Sequence, residues 1–334
     1  MVLQSINPTT EDVLDTFEEF SDAQLDEALQ QAHGAQRQWR ETSFGERASR
    51  LQAVARVLRG QKNRWATLAT TEMGKPLVEA EAEIDKCAWN CDFYAEHAAS
   101  FLADEHISTD ASDSFVAFEP LGVVLAIMPW NFPFWQVFRF AAPALMAGNG
   151  AVLKHASNVP RCALAIEEIF SSAGLPAGLF RTVLVPGSKV EPLIADPRIH
   201  AVTLTGSSDV GQRVASAAGR QIKKQVLELG GSDPFIVLAE ADLDGAVATA
   251  VRARNQNNGQ SCIAAKRFIV EDPVADQFTQ KFAAAVKALR VGDPMDEQTD
   301  IGPLASEQGD HGADCFTSMS GFRYRSNARC RPPA

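Results

Sequence analysis

Three side chains of different chemistry stand out by type and setting. Cys262 closes the tetrad Gly259-Gln260-Ser261-Cys262, and Glu228 lies 34 residues before it in Leu227-Glu228-Leu229-Gly230-Gly231. Upstream, Asn131 sits between two prolines in Pro129-Trp130-Asn131-Phe132-Pro133. A thiol nucleophile, a carboxylate base and an amide donor are what acyl transfer or carbonyl oxidation requires. A free thiol is only a few per cent ionised at neutral pH, so Cys262 needs a base or a local dipole to act. A glutamate beside a Gly-Gly pair can activate water, typically for a 10²–10⁴-fold gain. The prolines stiffen the Asn131 loop, and a rigid amide suits an oxyanion hole, where one lost donor costs roughly 3–4 kcal/mol of barrier. Singly, these residues read as a buried cysteine, an ion-paired glutamate and a turn asparagine. Together they read as a site.

A second group points to phosphate. Gly206-Ser207-Ser208-Asp209-Val210-Gly211 follows a β-rich run and opens a helical one. Free N–H groups at such a helix start receive anions, although this is not the G-x-G-x-x-G pattern. Lys154 ends another short β-rich run, at the edge where open α/β sheets bind nucleotides. No metal is expected: Cys87 and Cys91 are four apart, but no Cys/His pair has zinc-ligand spacing. Alanine at 264 leaves Cys262 without a vicinal thiol.

These residues need a scaffold, and the hydrophobic pattern supplies one. Ser21 caps a helix with apolar Leu25, Ala28, Leu29 and Ala32 at 3, 4, 7 spacing. Helical stretches follow at about 44–73 and 76–102. Strand signals at Leu121 to Ile127, Ala151 to Lys154, Thr182 to Val185 and Ala201 to Thr205 alternate with helical patterns at about 134–147, 158–173 and 209–220. Alternation of this kind predicts a parallel sheet covered on both faces. The polar, alternating stretch 104–119 reads as a projecting β-hairpin. After Glu228 a second unit is expected, with strands at Phe235 to Leu238 and Phe268 to Val270 and helices near 242–257 and 275–290.

Composition narrows the function classes. The chain has 334 residues, 46 % of them hydrophobic, a formal net charge of −11 and six scattered cysteines. An acidic surface disfavours nucleic acid. No apolar run approaches the ~20 residues of a membrane span. No basic start precedes an apolar stretch at the N-terminus, so no secretory signal is expected. A reducing, cytoplasmic setting fits the cysteines.

The motifs Met128 to Pro133, Ala147 to Ser157, Val202 to Gly211, Val226 to Leu238, Gly259 to Arg267 and Asp300 to Leu304 resemble the aldehyde dehydrogenase superfamily, within it bacterial succinate-semialdehyde dehydrogenases. The resemblance covers about residues 1–305. It implies an α/β fold: a Rossmann-type dinucleotide-binding domain at 1–103 and 120–228, an oligomerisation hairpin at 104–119, and the first part of an α/β catalytic domain at 229–308. It implies that Cys262 attacks the aldehyde, that Asn131 and the Cys262 N–H hold the oxyanion, and that Glu228 activates water. By the same carry-over Trp130, Asn131, Lys154, Ser157, Gly206, Ser207 and Leu229 line an NADP or NAD site. Ser157 lacks the carboxylate of NAD-preferring relatives, so a 2′-phosphate should be accepted. Arg139, eight residues after Asn131, is expected to hold the distal carboxylate of a semialdehyde. Full-length relatives are homo-oligomers.

The chain departs from that pattern in two places. Some relatives carry a second arginine six residues before the nucleophile, where this chain has Gln256. After about residue 307 the family's sequence is missing or frameshifted, and 309–334 reads as an aberrant or disordered tail. Poor solubility and little turnover follow from that expectation. The alternatives are an inactive nucleotide-binding remnant, a dehydrogenase for another aldehyde, or an esterase using the same cysteine.

Overall fold

The computed structural model describes residues 2–306. The tail at 309–334 lies outside the described residues.

The first element is an antiparallel pair, β1 (Val2–Ile6) and β2 (Val13–Glu18). Sequence reading found nothing here, because polar residues interrupt the alternation. The pattern that matters is inverted: Ser5 is fully buried while Val2 is 55 % exposed. Helix α1 (Asp22–Trp39) starts where expected. Ser21 Oγ accepts the Gln24 N–H at 3.3 Å, and Gln24 Oε1 accepts the Ser21 N–H at 2.9 Å. Such reciprocal capping satisfies two otherwise orphaned donors. The predicted stretch 44–73 is two helices, α2 (Phe44–Gly60) and α3 (Lys62–Met73), broken at Gln61 with φ −124°. Helix α3 stops at Gly74, whose φ of +82° suits glycine. Helix α4 (Leu77–Phe101) follows, then the short hairpin β3 (Glu105–His106) and β4 (Phe115–Val116).

A doubly wound unit comes next: β5 (Val123–Met128), α5 (Trp135–Met146), β6 (Gly150–His155), α6 (Pro160–Ser172), β7 (Phe180–Thr182), α7 (Val190–Ala195), β8 (Ile199–Gly206), α8 (Ser208–Arg220) and β9 (Lys224–Leu229). The strands form one parallel sheet in the order β7-β6-β5-β8-β9. Strand β5 is buried throughout. Its Val123, Leu125 and Ile127 face α1, α7 and α8, while Ala126 and Met128 face the layer built from α2 to α6. Each such aliphatic side chain contributes roughly 1.5–3 kcal/mol relative to exposure. Strand β7 ends three residues earlier than the pattern predicts. The Val183 N–H still donates to Leu153 O of β6 at 2.9 Å, but the Leu184 carbonyl accepts the Phe20 N–H at 2.8 Å instead.

After β9 comes a second pair of parallel strands, β10 (Asp233–Val237) and β11 (Ala265–Val270), with α9 (Leu243–Asn255) between them and α10 (Asp272–Lys287) after them. Val237, Val247, Ala250 and Phe278 make their core. The predicted helix 242–257 stops at Asn255, because Asn257 and Asn258 both take φ +58°.

Candidate active site

Two loops are hydrogen-bonded to the segment that ends in Cys262. Parallel pairing of β10 with β11 sets Asp233 opposite Ala265, which carries the turn after Glu228 toward the nucleophile loop. Lys266 fastens the two: its Nζ donates to Gly231 O at 2.7 Å and to Cys262 O at 3.0 Å. Cys262 is half-buried and its thiol is free. Glu228 is the penultimate residue of β9, paired in register with Thr205 of β8, and its side chain is 56 % exposed.

Asn131 reaches the same loop from β5. Its Nδ2 donates to Gln260 O at 2.9 Å, two residues before the cysteine, and its Oδ1 accepts the Phe132 N–H at 3.1 Å. Arg139, on α5, turns toward the strand ends. Its Nη2 donates to Thr205 Oγ1 at 3.2 Å, and its Nη1 lies 3.8 Å from Glu228 Oε2. The expected substrate cation thus faces the expected base.

Charged and polar groups that the sequence reading passed over hold the Asn131 loop from beneath. Buried Glu83 accepts the N–H groups of Phe134 and Trp135 at 2.9 and 2.7 Å, where α5 begins. Lys75, fully buried, pairs with the other oxygen of Glu83 and stands 4.2 Å over the Phe132 ring. His155 accepts the Ala156 N–H on Nδ1 at 2.8 Å, so Nε2 carries the proton and donates to Pro133 O at 2.8 Å. Burial lowers its pKa to about 4, which keeps the ring neutral. Glu79 and Asn257 tie the nucleophile loop to α4: Glu79 Oε2 accepts the Asn257 N–H at 2.9 Å. The signal available in the sequence was the four-residue spacing of Glu79 and Glu83 on α4, with Lys75 just before its first turn.

The strand order reverses between β5 and β8, and ligands of open sheets bind outside the carboxyl ends at such a point. Trp130 leaves β5 there, half-buried against the core. Lys154 sits near the end of β6 and Ser157 in the exposed turn after it. Gly206 ends β8, and Ser207 caps α8, its Oγ accepting the Val210 N–H at 3.4 Å. Leu229 ends β9 and presses on α8: a Cβ at Gly211 would come 2.5 Å from Leu229 Cδ2. Burial lowers the Lys154 pKa, and no carboxylate pairs with it among the described residues. A half-buried unpaired ammonium, a hydroxyl and a capped helix start at one sheet edge form a donor set suited to a dinucleotide. Among the described residues no group of His, Cys, Asp and Glu is placed to hold a metal ion, and no helix is long and apolar enough to cross a membrane.

Comparison with known proteins agrees with this geometry. The profile of the aldehyde dehydrogenase family matches residues 1–313. A probable succinate-semialdehyde dehydrogenase [NADP(+)] of Synechocystis sp. is 56 % identical over 306 residues, covering 92 % of this chain and 67 % of its own length. Succinate-semialdehyde dehydrogenase [NADP(+)] 1 of Mycobacterium tuberculosis is 53 % identical over 312 residues, covering 92 % of this chain and 68 % of its own. The crystal structure of succinic semialdehyde dehydrogenase from Streptococcus pyogenes, in complex with NADP+, superposes with a TM-score of 0.90 at 40 % identity, over 93 % of this chain and 68 % of that one. The chain therefore spans about two thirds of the length of these relatives.

Proposed function

The chain belongs to the aldehyde dehydrogenase family, and on that premise we propose that it oxidises succinate semialdehyde to the dicarboxylic acid, with Cys262 as nucleophile and NADP as hydride acceptor. One observation carries the reading. The Asn131 amide and the turn after Glu228 are each hydrogen-bonded to the Gln260–Cys262 segment, the first through Gln260 O, the second through Lys266.

The roles follow from the chemistry of the groups. Cys262 sulfur attacks the aldehyde carbon, and the carbonyl oxygen takes up the negative charge. One N–H of Asn131 is engaged with Gln260, and the other, with the Cys262 N–H, receives the oxyanion. The chemistry supplied by a bound nicotinamide is acceptance of the hydride, which leaves Cys262 as a thioester. Glu228, exposed at the end of β9, takes a proton from water as that water attacks the thioester. The C–S bond then breaks and the acid leaves.

Lys154, Ser157, Gly206 and Ser207 are the groups proposed to hold the dinucleotide, with Trp130 and Leu229 as apolar walls. Ser157 is exposed and uncharged, so it offers a 2′-phosphate no repulsion. Arg139 is proposed to bind the distal carboxylate. Its bond to Thr205 and its approach to Glu228 leave donors of its five-N–H fork for a ligand. A second reading, a different aldehyde, draws on Gln256 at the place of a second arginine and on the engagement of Arg139. The division into a dinucleotide-binding part, 1–103 and 120–228, and a catalytic part from 229 is proposed with this function. So are a cytoplasmic setting and an oligomerisation role for the hairpin at 104–119.

The test is aldehyde-dependent reduction of NADP, with C262A beside the parent chain. Reduction that C262A abolishes is expected. Turnover that survives C262A would overturn the reading.

A further inference from the structure

Between α9 and Cys262 the backbone turns left-handed three times in succession, at Asn257, Asn258 and Gly259, with φ of +58°, +58° and +72°. Asparagine tolerates this region better than other non-glycine residues, but glycine adopts it at less cost. Two buried asparagines in its place therefore call for work by their side chains.

Asn258 works toward the body of the protein. Its Oδ1 accepts the Gly302 N–H at 2.9 Å, and its Nδ2 donates to Gly74 O and Pro303 O at 2.7 and 2.9 Å. Asn257 works toward the site. It is 1 % exposed, and its Nδ2 donates to Asn131 O at 2.8 Å and to Gln260 O at 3.2 Å. A flipped amide would set its oxygen against both carbonyls, so the orientation is fixed by its partners. The Asn131 Nδ2 donates to the same Gln260 O. One carbonyl, two residues before the thiol, thus receives both amides, and Glu79 Oε2 pins Asn257 through its N–H.

We propose that Asn257 is a positioning residue that sets the Asn131 amide at its working distance from Cys262, with Glu79 holding it in place. The inference rests on the reading of Asn131 as the oxyanion donor. Asn257 touches neither reacting atom; it acts by joining the loop from β5 to the loop of the nucleophile.

The experiment uses the full chain and two reagents for Cys262. With 4-nitrophenyl acetate and no nicotinamide, the thiolate forms a C–S bond as 4-nitrophenolate departs, through an oxyanion. With iodoacetamide, the thiolate displaces iodide and no oxyanion forms. N257G keeps the left-handed backbone and removes the bridge; N257D keeps shape and removes the donor. Both should slow acylation about 10–100-fold, up to the scale of a lost oxyanion donor, while alkylation stays within about threefold of the parent. The double variant N131A/N257G should be no slower than N131A, as expected of residues acting through one contact.

Acylation and alkylation slowed by one common factor in both variants would make Asn257 a folding residue only and overturn the proposal. So would full-rate acylation in N257G and N257D when N131A is slow; the oxyanion reading would then stand alone. If N131A acylates at the parent rate, or the parent is not acylated at Cys262, the oxyanion reading fails and this proposal with it.

Discussion

Arg139 Nη1 lies 3.8 Å from Glu228 Oε2, so one guanidinium faces both the acid proposed to activate water and the place proposed for a substrate carboxylate. Magnitudes separate the two roles. The ion pair is exposed, with side chains 36 % and 56 % accessible, and pairs of that kind are worth about 0–1 kcal/mol. A hydrogen bond to a charged carboxylate is worth roughly 1.5–3 kcal/mol. Substrate binding should therefore dominate. R139A is expected to lower kcat/KM for succinate semialdehyde by roughly 10–150-fold, mainly through KM, and to change kcat/KM for butanal much less. Equal losses for both aldehydes would assign Arg139 to Glu228 instead.

Ser157 stands exposed just beyond β6, in the turn that follows the strand carrying Lys154. S157E would set a carboxylate against a 2′-phosphate, at a cost of about 1–4 kcal/mol for charges some 4 Å apart. The affinity ratio of NADP to NAD, measured by quenching of intrinsic fluorescence, should fall by at least about fivefold. An unchanged ratio would place the 2′-phosphate elsewhere.

His155 makes stability depend on pH. Its folded pKa of about 4 lies below the ordinary value of 6.5, so the unfolded chain binds the proton more readily. The contribution is fully present above about pH 6.5 and is lost as pH falls toward 4; at its largest it is about 3 kcal/mol. Buried Glu72 and half-buried Glu79, whose pKa values burial raises, act with the opposite sign. The informative quantity is therefore the difference from H155Q. Between pH 7 and pH 5 the parent's Tm should fall further than that of H155Q. Parallel curves would show that His155 does not stay neutral.

The buried Lys75–Glu83 pair also supports the start of α5. Removing one partner leaves the other charge buried, which costs about 3–5 kcal/mol. K75M should lose that much in urea unfolding, and adding E83Q should recover part of it. A loss under about 1 kcal/mol for K75M would mean that water reaches Glu83.

How far the sequence spoke depends on the kind of order involved. Helix α1 was legible because Ser21 and the 3, 4, 7 run of apolar residues are local signals. Strands β5, β6 and β8 were legible because each buries a nearly continuous apolar run. The β1–β2 pair was not: its buried Ser5 follows from packing contacts remote in sequence. The break at Gln61 escaped because α2 and α3 keep compatible apolar periods on both sides of it. Of the proposed site, Cys262, Glu228 and Asn131 were singled out from their glycine and proline settings. Arg139 was singled out as well, but its turn toward Glu228 depends on β8 and β9 lying side by side. Lys75, Glu83, His155 and Asn257 were passed over, since charged and amide residues read as surface until tertiary contacts bury them.

The most direct measurement is the mass of the E228Q chain after exposure to succinate semialdehyde and NADP, followed by peptide mapping. With the proton acceptor for water removed, a succinyl thioester should persist on Cys262. An unmodified Cys262, or an acyl group on any other residue, would contradict the account.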